Sequence, residues 1–170
     1  MRRRMTRLLA ALGLGGMMVL APLAAQAEQP PRLGDSQIFD GADVLSDAEE
    51  QAADARLDAL ADETGLELWV VYVETFDSPA DSADWANATA DLNGLGNDQY
   101  LLAVATEGRQ LYLAKPAVGG LAEGKLLAIE EAAGDALGDN DWAGAVDRAA
   151  DEMTRQSQTN YTVWYVVGAI

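Results

Sequence analysis

Apolar residues recur along this chain first at helical spacing, then in continuous runs, then at helical spacing again. Leu57, Leu60 and Ala61 follow an acidic stretch that opens at Ser46 with Glu49 three residues on, the pattern of a reciprocal helix cap. Asp47, Glu49 and Glu50 place negative charge where the helix dipole favours it, and Gly65 is positioned to end the helix. Leu66 to Val73 is almost continuously apolar and rich in aromatic and β-branched residues, which predicts a central strand buried on both faces. Ser78-Pro79 turns the chain, and Asp81 to Leu92 then carries Trp85, Ala88 and Leu92 at helical spacing before Gly94 and Gly96 stop it. Tyr100 to Thr106 and Gln110 to Ala114 read as two strands joined by the hairpin turn Glu107-Gly108-Arg109. Pro116 and Gly119-Gly120 close the second of these. Ala-rich helices are expected from Leu121 to about Leu137 and from Trp142 to about Gln156, separated by Gly138-Asp139-Asn140. Helices that alternate with strands early and accumulate late predict an α/β fold, a three-layer α/β/α sandwich with a small mixed sheet covered by helices.

The two ends of the chain have a different texture. Arg2, Arg3, Arg4 and Arg7 precede the apolar run Leu8 to Leu23 and the small-residue site Ala25-Gln26-Ala27, which predicts a signal peptide over residues 1–27. Residues 28–37, with Pro30, Pro31 and Gly34, form an extended leader to a domain at 38–158. Residues 159–170 are apolar and aromatic. They read either as the start of a membrane anchor, with Trp164 and Tyr165 at the interface, or as a terminal segment packed on the domain. The expected location is therefore outside the cytoplasm: secreted, periplasmic or on the cell surface, with a membrane tether through this segment as one option.

Charge and missing residue types narrow the chemistry. The 170 residues hold 28 acids against 11 bases, and without the first 27 residues seven bases remain, a net charge of −21. Such a polyanion repels nucleic acid and anionic lipid, so nucleic acid is excluded as a partner, while cations and basic proteins are attracted. The chain has no histidine and no cysteine. That removes Ser-His-Asp and thiol nucleophiles, disulfides, and zinc sites of the nitrogen and sulfur type. Any metal must be held by oxygen, which points to calcium or magnesium.

The order Phe39-Asp40-x-x-Asp43-Val44-Leu45-Ser46, then Thr64-Gly65-Leu66-Glu67-Leu68, then Asn97-Asp98-x-x-Leu101-Leu102-Ala103-Val104-Ala105 with Arg109 in the next turn resembles the TPM-domain family. The resemblance covers residues 38 to 156 and implies an exported or membrane-tethered α/β sandwich. Activities attributed within that family are scattered among acid phosphatase activity, calcium binding and photosystem maintenance. Gln99-Tyr100 stands where the family commonly has a glycine and an aliphatic residue.

Hard oxygen ligands converge in the expected loops: Asp40 and Asp43 before the first helix, Asn97 and Asp98 before a strand. These four are the candidate metal ligands, for calcium or magnesium, with no organic cofactor and no assignable catalytic residue. The bland alternative gives the same side chains to local turns. Asp139-Asn140-Asp141 lacks EF-hand spacing, and Asp141 is expected to cap the last helix. The expected function is an accessory or interaction domain of the cell envelope that binds a divalent cation and an envelope or membrane protein, and is not an enzyme. The alternatives are a metal-assisted phosphatase acting on phosphate esters and a membrane-tethered structural domain without a ligand.

Overall fold

The computed structural model describes residues 29–167, with side chains described to residue 158. The expected signal peptide and the side chains of the apolar C-terminal segment lie outside the described residues. The elements run β1 (Ile38–Asp40), α1 (Asp47–Thr64), β2 (Glu67–Val73), α2 (Ser82–Asn93), β3 (Gln99–Ala105), β4 (Gln110–Ala114), α3 (Glu123–Gly138) and α4 (Trp142–Val167). One sheet of order β1-β2-β3-β4 is parallel across its first three strands and antiparallel between β3 and β4. This is the small mixed sheet that the sequence pattern predicts.

Local chemistry builds α1 as its sequence implies. Ser46 Oγ accepts the Glu49 N–H, and Glu49 Oε2 accepts the Ser46 N–H at 2.8 Å, while Gly65 ends the helix at φ 73°. Three elements differ from the sequence expectation. β1 was not expected as a strand, because three residues are too few to show a period. α4 continues past Gln156 to Val167, since the Ser157-Gln158-Thr159-Asn160 run lowers helix propensity without a glycine or proline to stop it. α2 buries Trp85, Ala86 and Thr89, while Leu92 is left exposed. Its buried face is set by Trp85, whose ring lies 4.8 Å from that of Phe76, and by Thr89, whose hydroxyl donates to the Trp85 carbonyl.

The two faces of the sheet are covered unequally. Leu68, Val70, Tyr72, Tyr100, Leu102 and Val104 pack under α1, α3 and α4. Val71, Val73, Leu101, Ala103 and Ala105 meet α2 alone. The leader helps to close that second face, where Asn93 accepts the Leu33 N–H at 2.9 Å and donates to the Pro31 carbonyl at 2.9 Å.

That inequality positions the site. The connections β1-α1-β2 and β2-α2-β3 step in the same direction across the sheet, yet α1 and α2 cover opposite faces, so the two crossovers have opposite hands. The loop leaving β1 therefore turns to one face and the loop leaving β2 to the other. They diverge outside the carboxyl ends of β1 and β2, the position at which parallel α/β sheets place ligands.

Candidate functional site

Asp40 is the last residue of β1 and sits opposite Tyr72 in the parallel ladder, where the two connections diverge. The ladder continues one step further, with the Gly41 N–H donating to the Tyr72 carbonyl at 2.8 Å. Gly41 cannot take a side chain there without strain, because a Cβ would lie 2.9 Å from the Phe39 ring and 3.3 Å from the Tyr72 carbonyl oxygen. Asp40 Oδ2 accepts the Leu45 N–H at 2.7 Å and so shapes the turn into α1. Asp40 Oδ1 is buried and has no hydrogen-bond partner. A buried carboxylate oxygen left unpaired is costly, and an ordered water or a cation would satisfy it.

Charge gathers around the same point. Burial, together with Asp40, Asp47, Asp54 and Asp43, raises the Glu50 carboxyl above its ordinary value. Tyr72 is fully buried, and its hydroxyl donates to the Trp142 carbonyl at 2.7 Å. Burial first, then the negative charges of Asp40 and Asp141, push the Tyr72 phenol strongly up, so it remains a neutral donor. Trp142 meets Tyr72 edge to face with ring centroids 6.1 Å apart. As expected, Asp141 caps α4, its Oδ1 accepting the Gly144 N–H at 2.9 Å. Three non-glycine residues among those described have left-handed backbones, Asp43 (φ 54°), Arg109 (φ 47°) and Asn140 (φ 60°). Asp43 follows β1, Arg109 follows β3, and Asn140 is bonded to Arg109, so all three lie at the carboxyl end of the sheet. Conformations of that kind cluster where a fold holds functional groups.

The four candidate ligands are not brought together. Asp40 and Asp43 lie at the carboxyl end, whereas Asn97 and Asp98 precede β3 at the amino end. The strand register separates the pairs by six residues along the sheet, about 20 Å at the usual rise per residue. A single centre containing all four is therefore excluded by parallel pairing, which carries the two loops to opposite edges. At the amino end the Asp98 carbonyl accepts the Glu67 N–H at 2.9 Å, and Gln99 bridges the Gly96 N–H and the Glu67 carboxylate. Asp98 itself borders a shallow polar hollow with Tyr100, Gly120 and Ser157. Among the described residues no three carboxylates converge as metal ligands. A cation held by Asp40 and Asp43 would draw its remaining oxygens from backbone carbonyls and water, which calcium accepts.

Sequence reasoning missed Tyr72, Trp142 and Asn140 as members of this region. The first two look like core aromatics in the sequence, and nothing local announces that Asn140 holds an arginine 31 positions away.

The relatives agree with this architecture. Residues 38–156 match the family model of the TPM domain. The UPF0603 proteins MT2410 and Rv2345 of two Mycobacterium tuberculosis strains are each 36% identical to the chain over 142 residues, 82% of its length. The chain spans only 21% of the length of these relatives. Among solved structures, the N-terminal domain of the cg2496 protein from Corynebacterium glutamicum superposes with a TM-score of 0.64 at 24% identity, covering 75% of this chain and 83% of that one. The N-terminal domain of a protein from P. gingivalis superposes with a TM-score of 0.61 at 20% identity, covering 73% and 83%. These two share the fold. With a matched family model over residues 38–156 and relatives 36% identical over 82% of its length, the chain belongs to the TPM-domain family.

Proposed function

We propose that the protein is an extracytoplasmic accessory domain that binds a divalent cation, calcium before magnesium, at the carboxyl end of β1 through Asp40 and Asp43. The observation that carries this reading is the buried, unpartnered Asp40 Oδ1 at the point where the loops after β1 and β2 diverge. The chemistry of the donors suits a hard cation: carboxylates, carbonyls and no nitrogen or sulfur ligand. Clustered negative charge around Glu50 supports it too, because a cation would relieve that repulsion. The basic and apolar N-terminal pattern supports export, and calcium is abundant enough outside cells to occupy a site with few protein ligands. Asn97 and Asp98 have no part in this site. The role is structural: the ion would tie the β1-α1 turn to the sheet edge and leave a partner-facing surface ordered.

Calcium should raise the melting temperature by binding the folded state, equivalent to about 2.7 kcal/mol at a hundredfold excess over the dissociation constant. Magnesium and sodium chloride at matched ionic strength separate specific binding from screening. Asp40→Asn should abolish the calcium shift, and Asp98→Asn should preserve it. An equal shift in both variants would refute the assignment to this site.

A further inference from the structure

A cavity lies at the same end of the sheet, between the β3-β4 hairpin, α3 and the start of α4. It measures about 230 Å³ and is walled by Val104, Leu111, Leu137, Trp142 and Gly134, with Arg109 at its rim. Most of the wall is apolar. The room exists because α3 carries a glycine at position 134, where a Cβ would reach ordinary contact with the Leu111 side chain at 3.5 Å.

Arg109 meets no carboxylate within ion-pair distance among the described residues. Arg56, Lys115 and Arg155 each meet a carboxylate. The hydrogen bonds of Arg109 go instead to neutral oxygens, the Leu137 carbonyl at 3.3 Å and Asn140 Oδ1 at 2.8 Å. Those two bonds fix the guanidinium and leave about three of its five N–H donors for another acceptor. A tethered arginine with donors to spare beside an apolar cavity suits an acid that has an apolar body. Free small anions are repelled by the molecule as a whole, so a ligand must gain from the cavity as well as from the arginine.

The geometry points to a binding site for a small apolar carboxylate, its hydrocarbon body in the cavity against Trp142 and Leu111 and its carboxylate on Arg109. A cavity of about 150 Å³ holds a benzene ring, so the space here accommodates a ring with a short acidic arm. The carboxylate can belong to a free acid or to the C-terminal residue of a peptide, which offer the same chemistry. This site is independent of the cation proposed at Asp40.

The test is a chemical-shift titration of the full chain with phenylacetate, following the Trp142 indole N–H, assigned through Trp142→Phe. Saturable movement of that resonance is expected, with benzyl alcohol binding at least about tenfold more weakly because it lacks the charge-assisted pair. Arg109→Gln should weaken phenylacetate to the level of benzyl alcohol, and Gly134→Val should block both by filling the cavity. The second arm compares a short peptide ending in phenylalanine as free acid and as amide. Binding of the free-acid peptide names a peptide source, and binding of phenylacetate alone names a free acid. Benzyl alcohol or the amidated peptide binding as tightly as its carboxylate counterpart would overturn the proposal, as would an unmoved Trp142 at millimolar phenylacetate.

Discussion

The two ends of the sheet carry similar residues and differ in what the fold does with them. At the carboxyl end the loops after β1 and β2 leave toward opposite faces, and Asp40 keeps one buried oxygen unpaired. At the amino end Asp98 is exposed, its carbonyl continues the ladder to Glu67, and the Gln99 side chain closes the turn on Gly96. Asp98 thus closes a turn at one end, whereas Asp40 at the other both shapes a turn through Oδ2 and keeps Oδ1 unpaired. The difference lies in topology, since the connections after β1 and β2 diverge and leave Asp40 between them.

Each end also holds one buried tyrosine whose hydroxyl serves a backbone group, which allows the comparison to be made quantitative. Tyr100 Oη accepts the Leu121 N–H at 2.8 Å, whereas Tyr72 donates to the Trp142 carbonyl. Tyr100→Phe should be the more damaging, about 1–3 kcal/mol, because it removes the acceptor of a buried N–H. Tyr72→Phe should cost about 0.5–1.5 kcal/mol, because Trp142 opens α4 and its carbonyl retains the helix ladder. Urea denaturation of both variants checks the order. Equal losses would mean that the amino-end turn relaxes to find water, and that this end is softer than the packing of Leu121 implies.

Much of the scaffold was legible because each element announces itself locally. Ser46 and Glu49 specify the start of α1, Gly65 its end, and the run from Leu66 to Val73 a strand buried on both sides. β1 was not legible, since Ile38, Phe39 and Asp40 become a strand only by pairing with Val70, Val71 and Tyr72. The candidate site was half legible for the same reason. Asp40 and Asp43 could be named from their residue type and their place before a helix, but whether Asp98 joins them depends on strand direction. Parallel pairing of β2 with β3 is a property of the whole sheet and sends Asp98 to the opposite edge. The Arg109 and Asn140 contact, across 31 positions, was illegible altogether.

The capping box just beyond the carboxyl end gives a smaller effect. Ser46→Ala should lower stability by about 1 kcal/mol through loss of the cap on α1. Its hydrogen bonds to Ser46 hold the Glu49 carboxyl below its usual value. A depressed carboxyl stabilises the fold above its unfolded pKa and loses that contribution as pH falls through the folded pKa. The gap between wild type and Ser46→Ala, read from melting curves, should therefore narrow on acidification below the ordinary glutamate range.

Glu50, one turn into the same helix, should show the opposite sign with the smallest amplitude. Its carboxyl is raised by burial and by the surrounding aspartates, so the folded state binds its proton more tightly than the unfolded chain does. Stability contributed by that proton is present at low pH and is lost as pH rises through the folded pKa. Glu50→Gln removes the charge that these surroundings disfavour, and should raise stability near neutral pH by a few tenths of a kcal/mol, the scale of solvent-screened charges. The gain should vanish well below the ordinary glutamate range, where the carboxyl is protonated in both states, and should shrink if calcium neutralises Asp40 and Asp43. A gain that persists unchanged in saturating calcium would place the cation away from this cluster, and the carboxyl end would then differ from the amino end only in strain.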